Sequence, residues 1–312
     1  MCYNPLNEQK AKEESCVKDR KKAVLLVIAS AMLWGTYGSF LTFISAHGMS
    51  ANVINLLRFA STSLPVLLYL ALRSREELRV RKKDLPLFFA NGLASILFFT
   101  SCYAAAIRET KIATAAALLY TAPAFVMLLS ALLFGEKLTL RKGFCVLLSV
   151  LGCALVSGVG SGGAALTARG LLLGLGAGLG YALYSIFSRL LQQRGYSTYT
   201  NVSYTFLIAS AGYFAVSLAE GNAKEIAALP GATALSVLCG LFTGLLAYLL
   251  YTNGLKNLEP SRAAQLATVE PVFAALLGAL LFSQRLSAPE LLGVALVVIA
   301  VVLMNAPQRE RT

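Results

Sequence analysis

A single acidic residue, Glu270, lies within an otherwise uncharged segment at positions 266–282, LATVEPVFAALLGALLF. On scales of membrane insertion, a central acidic residue costs about 2.5 to 3.5 kcal/mol, so such residues usually face a cavity or a partner. Glu270 could bind the amino group of a small molecule, or it could take up and release a proton. Two structural interpretations stay open: a hydrogen bond across a kink at Pro271, and a permanent pair with a buried arginine.

Arg58 is the other charged residue deep in an apolar segment, within NLLRFAST at positions 55–62. Its guanidinium could bind the carboxylate of a small molecule, or it could pair with Glu270 in one conformation of the protein. A long arginine side chain can also extend to the nearer membrane surface, or donate to carbonyl groups of neighbouring helices. The sequence leaves these functional and structural interpretations open.

Aromatic side chains with polar groups are frequent in the same apolar segments. Around a cavity they could hold an ammonium group by cation–π contact or stack on an aromatic molecule, although packing explains any single one equally well. The set is Trp34, Tyr37, Tyr103, Tyr120, Tyr181, Tyr184, Tyr248 and Tyr251. Together with Glu270 and Arg58, the candidate ligand contacts that we select are Trp34, Tyr37, Tyr103, Tyr181 and Tyr251.

Two prolines, Pro123 and Pro271, each remove a backbone hydrogen bond and are expected to kink a helix. They could act as hinges or expose polar backbone groups to a cavity, where such groups are tolerated inside a membrane. A static curvature of the helix is the alternative. Gln265 is a further candidate for binding, but it lies five residues before Glu270, which is about 140° around a regular helix. We therefore rank it below Glu270.

The composition places these residues in a membrane protein. Of the 312 residues, 57% are hydrophobic and only 13% are charged, whereas a soluble domain is about 25% charged. The net charge of +12 lies in the tails and alternate loops, which is typical of membrane topology rather than of nucleic-acid binding. With one histidine, His47, and no C-x-x-C pair among six cysteines, we expect no metal, no cofactor and no disulfide framework.

Ten apolar segments, each roughly one bilayer crossing long, alternate with short polar connections. We therefore expect an all-α polytopic fold with ten membrane spans, at 23–45, 51–72, 85–107, 112–134, 142–158, 169–191, 198–219, 232–255, 261–283 and 288–305. Of the 27 Lys and Arg residues, 21 would lie on the side of the N-terminus and five on the other. This bias predicts cytoplasmic tails at 1–22 and 306–312, and we expect the protein to lie in the plasma membrane.

The chain contains an internal repeat. A shift of 148 residues aligns positions 116–138 with positions 264–286, and 11 of the 23 aligned residues are identical, Pro123 and Pro271 among them. In this register Glu270 aligns with Ala122, so the fold itself does not require a carboxylate there. Further pairs, within one residue of the same register, are Gly92/Gly240, Tyr103/Tyr251, Trp34/Tyr181 and Tyr37/Tyr184.

Each repeat, 23–158 and 169–305, contains five spans. Because five is an odd number, two such units in tandem must enter the membrane from opposite sides, and the repeat is inverted. Inverted repeats are typical of secondary transporters, whose substrate site lies near the midplane between the halves. The pattern therefore predicts transport by alternating access, with each half adopting either of two related conformations.

The order and the duplication of these motifs resemble a known family. The stretches LWGTYGSF at 33–40, YTAPAFVMLLSALLFGEKLT at 120–139 and VEPVFAALLGALLFSQRLS at 269–287, together with NLLRFAST, resemble the EamA-type transporters of the drug/metabolite transporter superfamily. The resemblance implies ten helices in a pseudo-symmetric basket around a central cavity, and transport of small metabolites such as amino acids. One departure is Gln284, where the first repeat has Glu136, since the family often carries Glu at both places.

Two transport hypotheses follow. The first is a secondary transporter of a small organic metabolite, an amino acid or a related amine, such as an exporter. The alternative is a proton-coupled transporter of organic cations or drugs that uses Glu270. We expect no enzyme, because the sequence lacks a catalytic cluster of His, Asp or Cys near an interface. The expected partners are a small-molecule substrate, protons in the second hypothesis, and membrane lipids, but no nucleic acid; the chain could act as a monomer or a homodimer.

Overall fold

The computed structural model of the protein describes residues 5–110, 112–158, 167–282 and 286–306. Throughout these ranges the chain forms helices joined by short turns, and they contain no strand. The predicted all-α fold is therefore confirmed. The first helix, Pro5–Gly35, begins inside the predicted N-terminal tail. Gln284 and positions 307–312 of the predicted C-terminal tail lie outside the described residues.

Nine helical stretches in the described ranges are long and apolar enough to cross a bilayer. They are Lys18–Ser45, Ala51–Arg73, Lys82–Glu109, Ile112–Phe134, Ala168–Gln193, Thr198–Ala219, Pro230–Gly254, Pro260–Leu281 and Ala288–Asn305. A tenth apolar helix, Leu140–Val156, has 17 residues and lies where the sequence predicts the fifth span. These are spans one to ten in chain order, and the ten predicted spans are confirmed with ends that differ by a few residues.

Spans one, four and nine are each interrupted. Their helices are Pro5–Gly35 and Tyr37–Ser45, Ile112–Leu119 and Ala122–Phe134, and Pro260–Ala267 and Val269–Phe282. At each interruption a threonine hydroxyl donates, at 2.7 Å, to the carbonyl oxygen three residues earlier; the threonines are Thr36, Thr121 and Thr268. Pro123 and Pro271 lie in the first turn of a new helix, where the missing N–H has no intrahelical acceptor to lose.

Spans three and eight contain a second irregularity. Each has a π-helical segment, Ala90–Leu97 in span three and Gly240–Leu246 in span eight. When the first segment is shifted by the 148 residues of the repeat, it overlaps the second. Segments of this kind are rare and occur frequently at functional sites. No feature of the sequence predicts them.

The two repeats pack by exchanging helices. Span one of the first repeat packs against spans eight and nine of the second, and span six packs against spans three and four. Equivalent helices also pack directly on each other, span two on span seven and span five on span ten. These matched contacts place a pseudo-twofold axis between the repeats, as expected for an inverted repeat.

Glycine allows two of these contacts to be unusually close. A Cβ atom on Gly240 of span eight would lie 2.5 Å from the carbonyl oxygen of Arg58 in span two. A Cβ atom on Gly92 of span three would lie 2.9 Å from the carbonyl oxygen of Thr205 in span seven. The pairing of Gly92 with Gly240 in the repeat therefore has a structural reason, because both bring a span against the backbone of the other repeat.

Each face of the helix bundle has one matched contact between the repeats. On one face, the Ser197 hydroxyl at the start of span seven donates to the carboxylate of Glu77. On the other face, the backbone N–H of Ser50 at the start of span two donates to Glu225 Oε2 at 2.7 Å. The repeat register, within one residue, places Ser50 on Ser197 and Glu77 on Glu225. We call the face of Glu77 the basic face, because it includes the arginine-rich loop 73–83.

Candidate functional site

A small enclosed cavity lies where the two repeats meet. Spans one, three, six and eight supply its lining residues, which are Trp34, Ile96, Phe99, Tyr181, Tyr184, Ser185, Tyr248 and Tyr251. Its volume is about 10 Å³, close to the smallest space that holds one water molecule. Binding of a larger molecule therefore requires these aromatic side chains to move apart.

Trp34 lies at the centre of this aromatic lining. Its ring centroid is 5.0 Å from that of Tyr248, 5.2 Å from that of Tyr251 and 6.0 Å from that of Tyr181. The pairs with Tyr248 and Tyr181 are edge-to-face, an arrangement that aromatic rings prefer because of their quadrupoles. Trp34 is only 5% exposed, so its side chain is covered by the packing of the first repeat against the second.

The polar groups around the cavity differ in how they are satisfied. The Tyr251 hydroxyl and the Ser185 hydroxyl form a hydrogen bond of 2.7 Å. The hydroxyls of Tyr184 and Thr252 form another of 2.7 Å. By contrast, the Nε1–H of Trp34 has no hydrogen-bond acceptor in the part of the chain that the structure describes.

Glu270 lies beside the cavity, in the first turn of the second helix of span nine. The Tyr181 hydroxyl donates to its Oε2 atom at 3.3 Å, and the Tyr120 hydroxyl of span four also faces this carboxyl group. Gly35 packs so closely on span nine that a Cβ atom there would lie 2.9 Å from the Glu270 carbonyl oxygen. The interruptions of spans one, four and nine therefore meet at Glu270. No ion pair to Glu270 occurs among the described side chains.

Arg58 is held inside the membrane-spanning bundle. Its Nε donates to Thr243 Oγ1 at 3.0 Å and its Nη2 donates to the Thr243 carbonyl oxygen at 3.3 Å. The guanidinium carbon lies 4.2 Å from the centre of the Tyr37 ring, within the range of a cation–π contact. In this conformation Arg58 therefore neither extends to the surface nor forms an ion pair with Glu270. Contact with a neighbouring helix, one of its structural interpretations, is the arrangement that occurs.

The remaining residues predicted from the sequence do not all lie at the cavity. Tyr103 is partly buried and packs on Phe99, with the ring centroids 6.3 Å apart. Gln265 points away from the cavity, since its Nε2 donates to the Cys145 carbonyl oxygen at 3.2 Å and to the Ser149 hydroxyl, both in span five. The structure brings together Trp34, Tyr181, Tyr251 and Glu270. It places Arg58 with Tyr37 in a second group and Gln265 outside both.

Several cavity residues are not among the ligand contacts selected from the sequence. Tyr184 and Tyr248 belong to the wider aromatic set, and the pairing of Tyr184 with Tyr37 in the repeat is a signal that could have raised its rank. Phe99 and Ser185 have no such signal. An isolated Phe or Ser in an apolar span is ordinary, and only the packing of spans three and six reveals their place.

A larger groove lies on the basic face. It has a volume of about 510 Å³ and is lined by Arg81, Lys83, Asp84, Gln193 and Arg194. Asp84 is paired with Arg81 at 2.7 Å and with Arg194 at 2.5 Å, so two arginines share one carboxylate. The groove lies at the ends of two spans, because Lys83 and Asp84 are at the start of span three and Gln193 ends span six. Among the described side chains, no group of three His, Cys, Asp or Glu residues could hold a metal ion.

Comparison with known proteins gives consistent results. A sequence profile described as the EamA-like transporter family matches residues 21–158 and 168–306. An uncharacterized transporter of Archaeoglobus fulgidus is 28% identical over 289 residues, which cover 92% of this chain and 97% of that protein. A pseudopaline exporter of Pseudomonas aeruginosa is 26% identical over 136 residues, covering 44% of this chain and 46% of that protein. A known crystal structure superposes with a TM-score of 0.76 at 20% identity, covering 91% of this chain and 96% of the other.

Proposed function

We propose that this chain, which belongs to the EamA-like transporter family, is a secondary transporter that moves an amino acid or a related amine across the plasma membrane by alternating access. The chain is a multi-pass integral membrane protein with two matched repeats. The family consists of transporters, and we assign no enzymatic activity. We place both termini in the cytoplasm, on the basic face, and treat one chain as sufficient because it contains both halves.

The observation that best supports the proposal is the position of Glu270. It is a carboxyl group inside a span, next to the cavity between the repeats. The described residues contact it with tyrosine hydroxyls and form no ion pair with it, and Arg58 acts on it only from a distance. A cationic ammonium group of a substrate would supply the missing charge. The rings of Trp34 and Tyr181 beside it would add cation–π attraction, which is stronger in a dry site than in water.

The matched contacts on the two faces support alternating access. The Glu77–Ser197 contact and the Glu225–Ser50 contact each join one repeat to the other, at opposite ends of the bundle. Breaking one of them while keeping the other would open a path to the cavity from one side only. Because the repeats are inverted, the opening of either face is related to the other by the pseudo-twofold axis.

An alternative substrate class is an organic cation, carried in exchange for a proton that binds Glu270. The aromatic lining favours this alternative as much as it favours an amino acid, because both substrates have a positive charge. The Pseudomonas relative is named an exporter, and we propose export as the direction for this chain.

The function is tested by screening the thermal stability of the purified protein against amino acids, amines, nucleosides and organic acids. A ligand that binds the folded state raises the melting temperature by mass action. We expect stabilisation by amino acids or amines, lost in Glu270→Gln but kept in Glu76→Gln, whose side chain is exposed on the basic face. Equal stabilisation of all three proteins would contradict a substrate-binding role for Glu270. A requirement for both Glu270 and low pH would favour the proton-coupled alternative.

A further inference from the structure

The indole N–H of Trp34 is the cavity group whose hydrogen bonding is incomplete. An indole nitrogen is a donor only, and buried tryptophans usually find an acceptor for it. Trp34 is 5% exposed, and its Nε1 is without an acceptor within the described ranges. The N–H is therefore a buried donor on a residue that lines the cavity.

The neighbouring hydroxyl groups are engaged with other partners in this conformation. The Tyr251 hydroxyl is engaged with Ser185, and the Tyr184 hydroxyl is engaged with Thr252. The Tyr181 hydroxyl donates to Glu270. Of the residues that line the cavity, Trp34 is the one with a buried polar atom that has no partner in the described part of the chain.

Trp34 and Glu270 stand on two sides of one side chain. The ring of Tyr181 is 6.0 Å from the ring of Trp34, centroid to centroid, and its hydroxyl reaches the Glu270 carboxyl group. The residue after Trp34 in the chain, Gly35, packs on the Glu270 backbone. A donor and a carboxylate thus lie on either side of one tyrosine, so a single small molecule that displaces the Tyr181 side chain would contact both.

We propose that the Trp34 N–H binds an acceptor group of the substrate, a carboxylate or a carbonyl, while Glu270 binds its amino group. This inference rests on the proposed function and narrows the substrate class to molecules with both a cationic amine and an acceptor. A simple amine lacks the acceptor and leaves the Trp34 donor unsatisfied. Discrimination by an unpaired buried donor is stronger than discrimination by shape in an apolar pocket.

Trp34 is the sole tryptophan of the sequence, which provides a direct readout in the unaltered protein. With nitrogen-15 label, the full chain in detergent gives one indole N–H signal, and its fluorescence comes from one indole. The probes are L-phenylalanine, which has both groups, phenethylamine, which lacks the acceptor, and 3-phenylpropionate, which lacks the amine. Thermal stabilisation by each probe is measured in parallel, so that binding and contact with Trp34 are observed separately.

The expected result is that phenylalanine stabilises the protein and moves the indole proton signal downfield, while phenethylamine binds more weakly and leaves that signal within its unliganded range. Stabilisation by phenylalanine without any movement of the indole signal overturns the inference and leaves the proposed function standing. Equal movement by phenylalanine and phenethylamine also overturns it, since the change then reflects cavity shape or a bound water. No response of either readout to any probe overturns the proposed function for this class and the inference with it.

A variant gives a second, independent test. Trp34→Phe keeps an aromatic ring and removes the donor, and we expect it to weaken phenylalanine binding on the order of tenfold or more, as for a hydrogen bond to a charged group. Phenethylamine binding is expected to stay within about twofold. Phe99→Leu, which changes the cavity wall without removing a polar group, is the matched control and should weaken both probes alike. Equal weakening of both probes in Trp34→Phe would contradict the inference.

Discussion

Two interfaces of this protein occupy equivalent places in the repeat and contain different polar groups. Where span three packs on span seven, the Asn91 side-chain amide donates to Asn201 Oδ1 at 3.1 Å and to Thr205 Oγ1 at 2.9 Å. Where span eight packs on span two, the Arg58 guanidinium donates to Thr243. The repeat register, within one residue, aligns Thr205 with Arg58. One interface is therefore neutral and the other contains a buried charge.

The backbone at the two interfaces is the same. Both contain a π-helical segment and a glycine, Gly92 or Gly240, that approaches the carbonyl group of the opposite span. The neutral interface shows that this backbone packing needs no arginine. Arg58, like Glu270 opposite Ala122, has no charged counterpart in the other repeat. Because the shared backbone does not require these two charges, they are the better candidates for a role in transport.

The shared backbone contact gives the largest expected effect. Gly240→Leu would place a Cβ atom 2.0 Å from Ser61 Oγ and 2.5 Å from the Arg58 carbonyl oxygen, and a backbone atom cannot move away cheaply. We expect a loss of about 3 kcal/mol or more in the free energy of unfolding, and Gly92→Leu should behave alike. Gly231→Leu is the control, because no atom lies within 4 Å of a Cβ there.

Thermal unfolding and the yield of monodisperse protein measure this effect. If Gly240→Leu were as stable as Gly231→Leu, the close approach of span eight to span two would be incorrect. If only one of Gly92 and Gly240 were sensitive, the two interfaces would not share a backbone contact after all.

The neutral interface should respond in stability rather than in transport. Asn91→Leu removes two buried hydrogen bonds to span seven and leaves apolar surface against polar groups, which should lower the free energy of unfolding by about 1 to 3 kcal/mol. We expect the variant that still folds to transport at close to the normal rate, measured per folded protein in proteoliposomes. A variant that is stable but inactive would remove the distinction between the two interfaces.

At the charged interface we expect a loss of transport with little change in stability. Arg58→Met has a similar length and leaves no orphaned donor, because the Thr243 hydroxyl also donates to the Cys239 carbonyl oxygen at 2.9 Å. Arg58 has no ion-pair partner among the described side chains, so its removal leaves no carboxylate without a bonded cation. We therefore expect a stability change within about 1 kcal/mol and at least a tenfold loss of transport. Normal transport by Arg58→Met would make Arg58 a structural residue.

The smallest effect is expected at the two faces. Glu77→Gln and Glu225→Gln keep an acceptor for Ser197 and Ser50 but remove a charge from the start of a helix, which is worth about 0.3 to 1 kcal/mol. The readout is thiol labelling at position 185 in proteins that also contain Ser185→Cys. We expect Glu77→Gln to increase labelling by a reagent added on the side of the basic face, and Glu225→Gln to increase labelling by a reagent added on the other side. Increased labelling from the same face in both variants would contradict a matched pair of contacts.

The sequence predicts the fold of this protein well because membrane spans depend on local composition and the repeat is visible as a direct sequence alignment. The ten spans follow from apolar segments, and the two broken spans near Pro123 and Pro271 follow from proline chemistry. The interruption of span one at Thr36 has no proline beside it, and the π-helical segments do not differ in composition from ordinary helices. Neither feature is therefore predicted. Both depend on contacts between distant helices.

The site is predicted less completely for the same reason. Glu270 stands out because a carboxyl group in an apolar segment is costly. The lower rank of Gln265 rests on a regular helix, whereas an interruption at Thr268 separates the two residues. The contact between Arg58 and Thr243 joins residues 185 positions apart, and nothing in either local sequence indicates it. The missing acceptor of Trp34 is likewise a property of the packed cavity and of no single segment.

The exchange of helices between the repeats also affects how the protein is made. Span one leaves the ribosome first, yet its packing partners, spans eight and nine, begin only at Pro230 and Pro260. At about 5 to 20 residues per second, roughly 200 residues of further synthesis take on the order of ten to forty seconds. During that interval Trp34 lacks Tyr248 and Tyr251 of span eight, two of its three aromatic neighbours. The newly inserted first half must therefore wait, held by lipid or by the insertion machinery, until its own second half arrives.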